Sequence, residues 1–148
     1  PEMIEWAVKA IQAHGKGPDL VGVFAPSYVH RSLRPEIYRM LQFASAIVPL
    51  GASTAVLEEF SLLEPVESVR RELQSKPLGS SVLKMLPPDL TEKFSIFKTC
   101  EELPEYLDQL EELGVEHVVF SYPQGYSVET IKELAEGLEL RKTGKSTE

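Results

Sequence analysis

The stretch 103–138 constrains this chain more than any other. Leu103, Tyr106, Leu107, Leu110 and Leu113 recur at helical spacing, Gly114 closes that helix, and Val115-Glu116-His117-Val118-Val119-Phe120 follows without a spacer. A glycine at a helix C-terminus feeding straight into a buried strand is the chemistry of a helix-to-strand turn. A polar loop, 121–126, comes next. Ser127 then caps a helix with the stripe Val128, Ile131, Leu134, Ala135 and Leu138. Helix, tight turn, buried strand, loop and helix in that order imply a parallel sheet with helices packed on it.

Upstream, Ile4, Ala7, Val8 and Ile11 predict an opening helix, stopped by Gly15, Gly17 and Pro18. His14 falls at its C-terminal end, where a partly positive imidazole is favourable. The run 20–25 is apolar without alternation, as in strands covered on both faces, and 27–31 reads as the polar loop after it. Residues 32–86 read as helical pieces divided by Pro49, Gly51, Pro65, Pro77 and Gly79, with Arg70 and Arg71 exposed. Residues 94–97 alternate weakly and fit a third strand or an extended connector. Thr99 and Glu102 have capping-box spacing; Pro104 leaves the exact start of that helix open.

Two or three strands cannot bury both faces of a parallel sheet well. A full (β/α)8 barrel takes about 250 residues, and this chain has 148. The expected fold is therefore α/β: a C-terminal fragment of a (β/α)8 TIM barrel, mostly helical, with two or three parallel strands. Residues 1–140 form one α/β unit containing the helical block 32–86, and 141–148 form a polar tail. The first residue is Pro1, not Met, which fits a chain processed or cut from a longer one. The missing strands are expected in an N-terminal portion, or their place is taken by another copy in a homo-oligomer.

Ile96-Phe97-Lys98-Thr99, the acidic helix 101–113, Gly114-Val115-Glu116-His117-Val118-Val119-Phe120 and the closing helix 127–137 resemble the C-terminal end of the luciferase-like oxidoreductases. That family holds bacterial luciferase-type flavin monooxygenases and deazaflavin-dependent methylene-tetrahydromethanopterin reductases. Members often open the acidic helix with Gly-Thr-Pro-Glu-Glu; here the segment is Lys98-Thr99-Cys100-Glu101-Glu102, with Gly and Pro replaced. The opening Pro1-Glu2-Met3-Ile4-Glu5-Trp6-Ala7 also looks like the family's helix before strand seven. The resemblance implies that 20–25 is barrel strand seven, 32–86 its elaborated crossover and 115–120 strand eight. It implies hydride transfer to or from a small substrate, with a deazaflavin coenzyme (F-420) or FMN as cofactor. The family's main cofactor-binding segments lie in strands this chain does not hold, so the chain is not expected to act alone.

Barrel active sites lie at the C-terminal ends of the strands, which selects the loops 27–31 and 121–126. Ser27, Tyr28, His30, Arg31, Tyr122, Gln124 and Tyr126 are the pocket candidates. The hydroxyls and the Gln124 amide would orient a substrate; the Tyr122 and Tyr126 rings would cover a flat isoalloxazine-type ring. Arg31 would hold a phosphate or carboxylate, and His30 would exchange a proton near neutrality. The plainer reading makes Pro123 and Gly125 turn formers, the tyrosines rim covers, and His30 and Arg31 a solvated pair. No catalytic residue is assigned.

Other classes are disfavoured. A net charge of −8 and basic residues confined to Arg70-Arg71 and the tail argue against nucleic acid. No run approaches the roughly 20 apolar residues of a membrane span, and no secretory signal opens the chain, so a cytoplasmic location is the default. Three scattered His and one Cys give no metal-ligand spacing, and no Gly-rich phosphate loop or Gly-x-Ser-x-Gly elbow occurs. Cys100, the sole cysteine, reads as a small helix-shoulder residue before it reads as a thiolate. His117, flanked by apolar residues, reads as a core or interface histidine. The alternative to an oxidoreductase piece is a non-enzymatic α/β module that dimerises or docks a partner.

Overall fold

A computed structural model describes residues 2–14, 20–77 and 79–145. The elements run α1 (Glu2–Ala13), β1 (Gly22–His30), α2 (Pro35–Leu50), α3 (Thr54–Glu59), α4 (Leu63–Glu72), α5 (Ser80–Leu83), α6 (Leu90–Lys93), β2 (Ile96–Thr99), α7 (Leu103–Glu112), β3 (His117–Ser121) and α8 (Val128–Lys145). The chain is α/β and predominantly helical, with an open sheet of three parallel strands in the order β2-β1-β3. Among the described residues no helix is long and apolar enough to cross a membrane.

The central strand changes partner along its length. Its first half pairs with β3, from Gly22 opposite His117 to Pro26 opposite Ser121. Its second half pairs with β2, from Ser27 opposite Ile96 to His30 opposite Thr99. Pro26 stands at the changeover, where a residue lacking an N–H disturbs the ladder least. Sequence reading ends this strand at residue 25 and makes 27–31 a loop; the structure corrects that. Ser27, Tyr28, Val29 and His30 are strand residues and buried, because β2 and α2 cover them. The other strands are displaced in the same sense: the doubtful 94–97 run is β2 at Ile96–Thr99, and 115–120 is β3 at His117–Ser121.

The first core lies on one face of the sheet. Val23, Ala25 and Val29 of β1, Ile96 of β2, and Val118 and Phe120 of β3 meet Ile4 and Val8 of α1. They also meet Leu103, Leu107 and Leu110 of α7, and Leu134 and Leu138 of α8. The opposite face is covered only in part, where Tyr28 packs with Ile37 and Leu41 of α2 and with Phe97. Further along that face Phe24 and Val119, directly opposed in the ladder, are 75% and 50% exposed. His117, expected in the core or at an interface, is exposed on this same face, because no helix lies over it.

The helical block builds its own core from Ala46, Leu57, Leu62, Val66, Val69, Val82, Leu86 and Leu90. Burial of each large apolar side chain there contributes about 1.5–3 kcal/mol. Pro49 does not interrupt α2; it sits buried in the helix's last turn. Arg70, expected on the surface, collects the carbonyls at that end, donating to Leu50 O at 3.0 Å and Ala52 O at 2.7 Å. A cation bound to C-terminal carbonyls stabilises a helix end in the way its dipole favours.

Local signals around α7 are realised. Thr99 N donates to Glu102 Oε2 at 2.8 Å and Glu102 N to Thr99 Oγ1 at 3.2 Å, so the capping box closes the turn that leads into a helix beginning at Leu103. Gly114, at φ +88°, ends it: Val115 N bonds Leu110 O and Gly114 N bonds Glu111 O, the two bonds of a Schellman motif. The last helix differs from its expected stripe. Val128, Ile131 and Ala135 face solvent, while Thr130, Glu133 and Gly137 are buried. The residues 141–145 continue α8 and are not a separate tail; 146–148 and the expected helix stop at Gly15, Gly17 and Pro18 lie outside the described residues.

Candidate functional site

The carboxyl end of β1 gathers four of the seven candidates. The Ser27 hydroxyl donates to Ala25 O at 2.7 Å and is fully buried, so it faces no substrate. Tyr28 is also fully buried; its hydroxyl accepts from Arg34 N at 3.0 Å and donates to Ser32 O at 3.4 Å, tying the strand to the turn before α2. The His30 ring lies 4.9 Å from the Tyr28 ring and 5.2 Å from Phe97, with Tyr38 5.0 Å beyond Phe97. Its Nδ1 is buried and has no hydrogen-bond partner among the described residues. Burial pushes its pKa below the usual imidazole value, against the pull of Glu133 and Glu102. The expectation of a loop histidine is corrected: His30 is a strand residue inside an aromatic cluster, where burial favours its neutral form.

Arg31 is the one candidate of this group that reaches solvent, and it is engaged. Its guanidinium makes a two-point contact with the Glu136 carboxylate, Nε to Oε1 at 3.2 Å, and its backbone N donates to Glu133 Oε1 at 3.3 Å. Arg34 binds Glu133 as well, and Glu129 at 2.8 Å. Arg31, Glu129, Lys132, Glu133 and Glu136 line a shallow recess of about 500 Å³ between the end of β1 and α8. Arg34, Glu133 and Glu136 escaped sequence reading; the one available signal was charged residues interleaved with the presumed apolar stripe of α8.

Gln124 is buried and does the work of a missing strand. β3 ends at Ser121, leaving Val29 without a neighbour on that side. The Gln124 Oε1 accepts from Val29 N at 2.6 Å, and its Nε2 donates to Val29 O at 3.3 Å and to Thr130 O at 2.6 Å. Both of its donors and its oxygen are engaged inward, and the side chain is buried, so it is turned away from any substrate at the surface. Tyr122 and Tyr126 are 51% and 56% exposed beyond β3, joined through a turn in which Tyr126 N donates to Pro123 O at 2.9 Å; the Tyr122–Pro123 bond is cis.

The remaining titratable candidates are structural. The Cys100 thiol donates to Glu133 O at 3.3 Å, and burial raises its pKa, so it is a thiol and not a thiolate. The His14 ring nitrogen lies 2.8 Å from Ala10 O at the end of α1. Among the described residues no three His, Cys, Asp or Glu side chains are placed to hold a metal ion. No protein-family model matches the chain. Of the seven candidates, Arg31, Tyr122 and Tyr126 are the ones that a ligand at the carboxyl end of the sheet could touch.

Proposed function

We propose that this chain is part of a luciferase-like flavin- or deazaflavin-dependent oxidoreductase, supplying neighbouring strands of its (β/α)8 barrel. One observation carries the reading. Where β1 and β3 pair, α1, α7 and α8 pack one face of the sheet, while the other leaves Phe24 and Val119 side by side in solvent. A barrel has this construction, with helices outside and an inner face filled by side chains of other strands. In that reading α2 and β2 belong to an extension of β1 beyond residue 26, past the end of β3.

The cofactor would carry hydride between itself and a small substrate. Tyr122 and Tyr126, exposed beyond β3, fit a role covering a flat ring. A phosphate clamp does not fit: Arg31 and Arg34 are already held by Glu136 and Glu133. The product of the complete reading frame containing this chain is the material to test. Binding of FMN or a deazaflavin coenzyme by fluorescence titration, and hydride exchange followed by cofactor absorbance, is the expected outcome. A product that binds neither cofactor sinks the reading.

The exposed pair Phe24 and Val119 also favours a second reading, a non-enzymatic module that dimerises or docks a partner. It predicts self-association by light scattering with no cofactor bound; the first predicts the cofactor.

A further inference from the structure

Backbone groups of a strand point alternately to its two sides. Val21 O accepts from Glu116 N, so the odd-numbered residues of β1 turn toward β3; His30 O accepts from Cys100 N, so the even-numbered ones turn toward β2. Yet β2 begins only opposite Ser27. Pro26 O takes the first bond of that ladder, from Ile96 N, and Gly22 and Phe24 before it turn their backbone groups to an edge with no described strand beside it. Such an edge is a template for another strand.

The edge is not open surface. It forms the floor of a cleft of about 690 Å³ running under α1, with apolar walls from Ile4, Ala7 and Ile11, from Val48 of α2 and from Phe60. Trp6 of α1 meets Phe60 edge-on, ring centroids 5.9 Å apart. The lining carries four carboxylates, Glu2, Asp89, Glu92 and Glu102, against two ammonium groups, Lys93 and Lys98. Lys93 is paired with Asp89 at 2.9 Å, and Lys98 lies over the Tyr106 ring at 5.4 Å. The mouth is thus negative, on a chain of net charge −8.

We propose that this cleft is a strand-acceptor site, which takes an extended apolar segment of another polypeptide, parallel to β1 and flanked by Lys or Arg. The unpaired stretch, residues 22–24, is about 10 Å long and offers the N–H and C=O groups of Gly22 and Phe24, enough for one short strand. Apolar walls on both sides select a segment apolar on both faces, and the acidic lining selects basic flanks. The site stands at the opposite edge of β1 from the β3 ladder, away from the recess at Arg31; the barrel reading gives this same edge to the strand preceding β1, so the two readings assign it different occupants and peptide binding by the chain counts for the acceptor site.

The probe is a capped, dye-labelled peptide, Lys-Lys-Val-Ile-Val-Thr-Val-Lys-Lys, followed by fluorescence anisotropy with the full chain. Alternate amides of an added strand bond β1 and the others do not. N-methylation of one alternate set should weaken binding at least tenfold, and methylation of the other should leave it within about twofold. Replacing the flanking lysines by glutamates should weaken it about tenfold. Phe24→Pro removes the amide that points into the cleft and spares the β3 ladder, so it should abolish binding; Val48→Asp, on the exposed wall, gives an independent loss should the proline variant not fold. Equal binding of both methylated peptides, or of the glutamate-flanked one, overturns the proposal, as does no binding at all. A concentration-dependent dimer that the peptide dissociates would assign the cleft to a second copy of this chain and overturn it as well.

Discussion

The Gln124 side-chain amide pairs with the backbone of Val29 as a neighbouring strand would, accepting from its N–H at 2.6 Å and donating to its carbonyl at 3.3 Å. The two residues are 95 apart in the chain. Replacing Gln124 with Leu should leave the Val29 N–H and C=O buried and unpaired, and take from Thr130 O the bond it receives besides the helix's own, lowering stability by about 3 kcal/mol in urea denaturation. Gln124→Glu keeps the acceptor but sets a carboxylate against two carbonyls. Its loss should shrink on acidification, as the carboxyl gains a proton to donate. A leucine variant within about 0.5 kcal/mol of the parent would refute the strand-surrogate role.

Gly137 lets α8 lie close against the start of α7. A Cβ there would meet Leu103 Cδ2 at 2.8 Å and Cys100 O at 3.2 Å, the latter a backbone atom that cannot swing aside. Gly137→Ala should destabilise by about 1–2 kcal/mol although alanine is the better helix former. Gly144→Ala, in the same helix with nothing within 4 Å of its added carbon, should be neutral or stabilising by up to about 1 kcal/mol. Opposite signs in thermal melts distinguish close packing from helix propensity.

His30 sets a pH response. Its pKa is lowered in the fold, chiefly by burial, so between that value and the ordinary 6.5 the unfolded chain binds more protons than the folded one. Stability should therefore rise with pH through this window, level off above 6.5, and be lost as pH falls through the folded value. Glu133, Glu102 and Glu101 oppose the shift and Arg34 adds to it. His30→Phe, placing an apolar ring between Tyr28 and Phe97, should flatten the acid limb of the stability profile above the carboxylate range. An unchanged limb would remove His30 from the account.

Tyr122 and Tyr126 separate the oxidoreductase reading from a structural one. Both rings are half-exposed, so Tyr122→Ala and Tyr126→Ala should each change stability by no more than about 0.5 kcal/mol. Flavin or deazaflavin binding by the complete product should weaken about tenfold in either variant. Unaltered binding would leave the tyrosines as rim covers.

What the sequence made legible was local. The Thr99–Glu102 box and the Leu110-Glu111-Gly114-Val115 stop are completed within a few residues, so their spacing suffices to read them. The second half of β1 was misread because Ser27, Tyr28 and His30 look like loop chemistry; what makes them strand is β2, some 70 residues on. Gln124 fails for the same reason. The α8 stripe was rotated because periodicity weighs apolarity alone: the buried side is fixed by the close approach at Gly137, the Thr130 contacts with Ser127, and the Glu133–Arg34 pair. Three of the seven site candidates, Ser27, Tyr28 and Gln124, were thus chosen for polarity that the fold consumes internally, and His30 for a ring that the aromatic cluster buries.

The partner change at Pro26 makes β1 a lap joint. β2 and β3 are bonded to the same strand but not to each other, one over residues 27–30 and the other over 22–26. A pull separating the two edge strands meets two routes, the covalent link through α7 and, by way of the ladders, shear along a single backbone through Ala25, Pro26 and Ser27. The ladder route should yield first, each edge strand shearing off β1 as a unit while α7 still ties the two together.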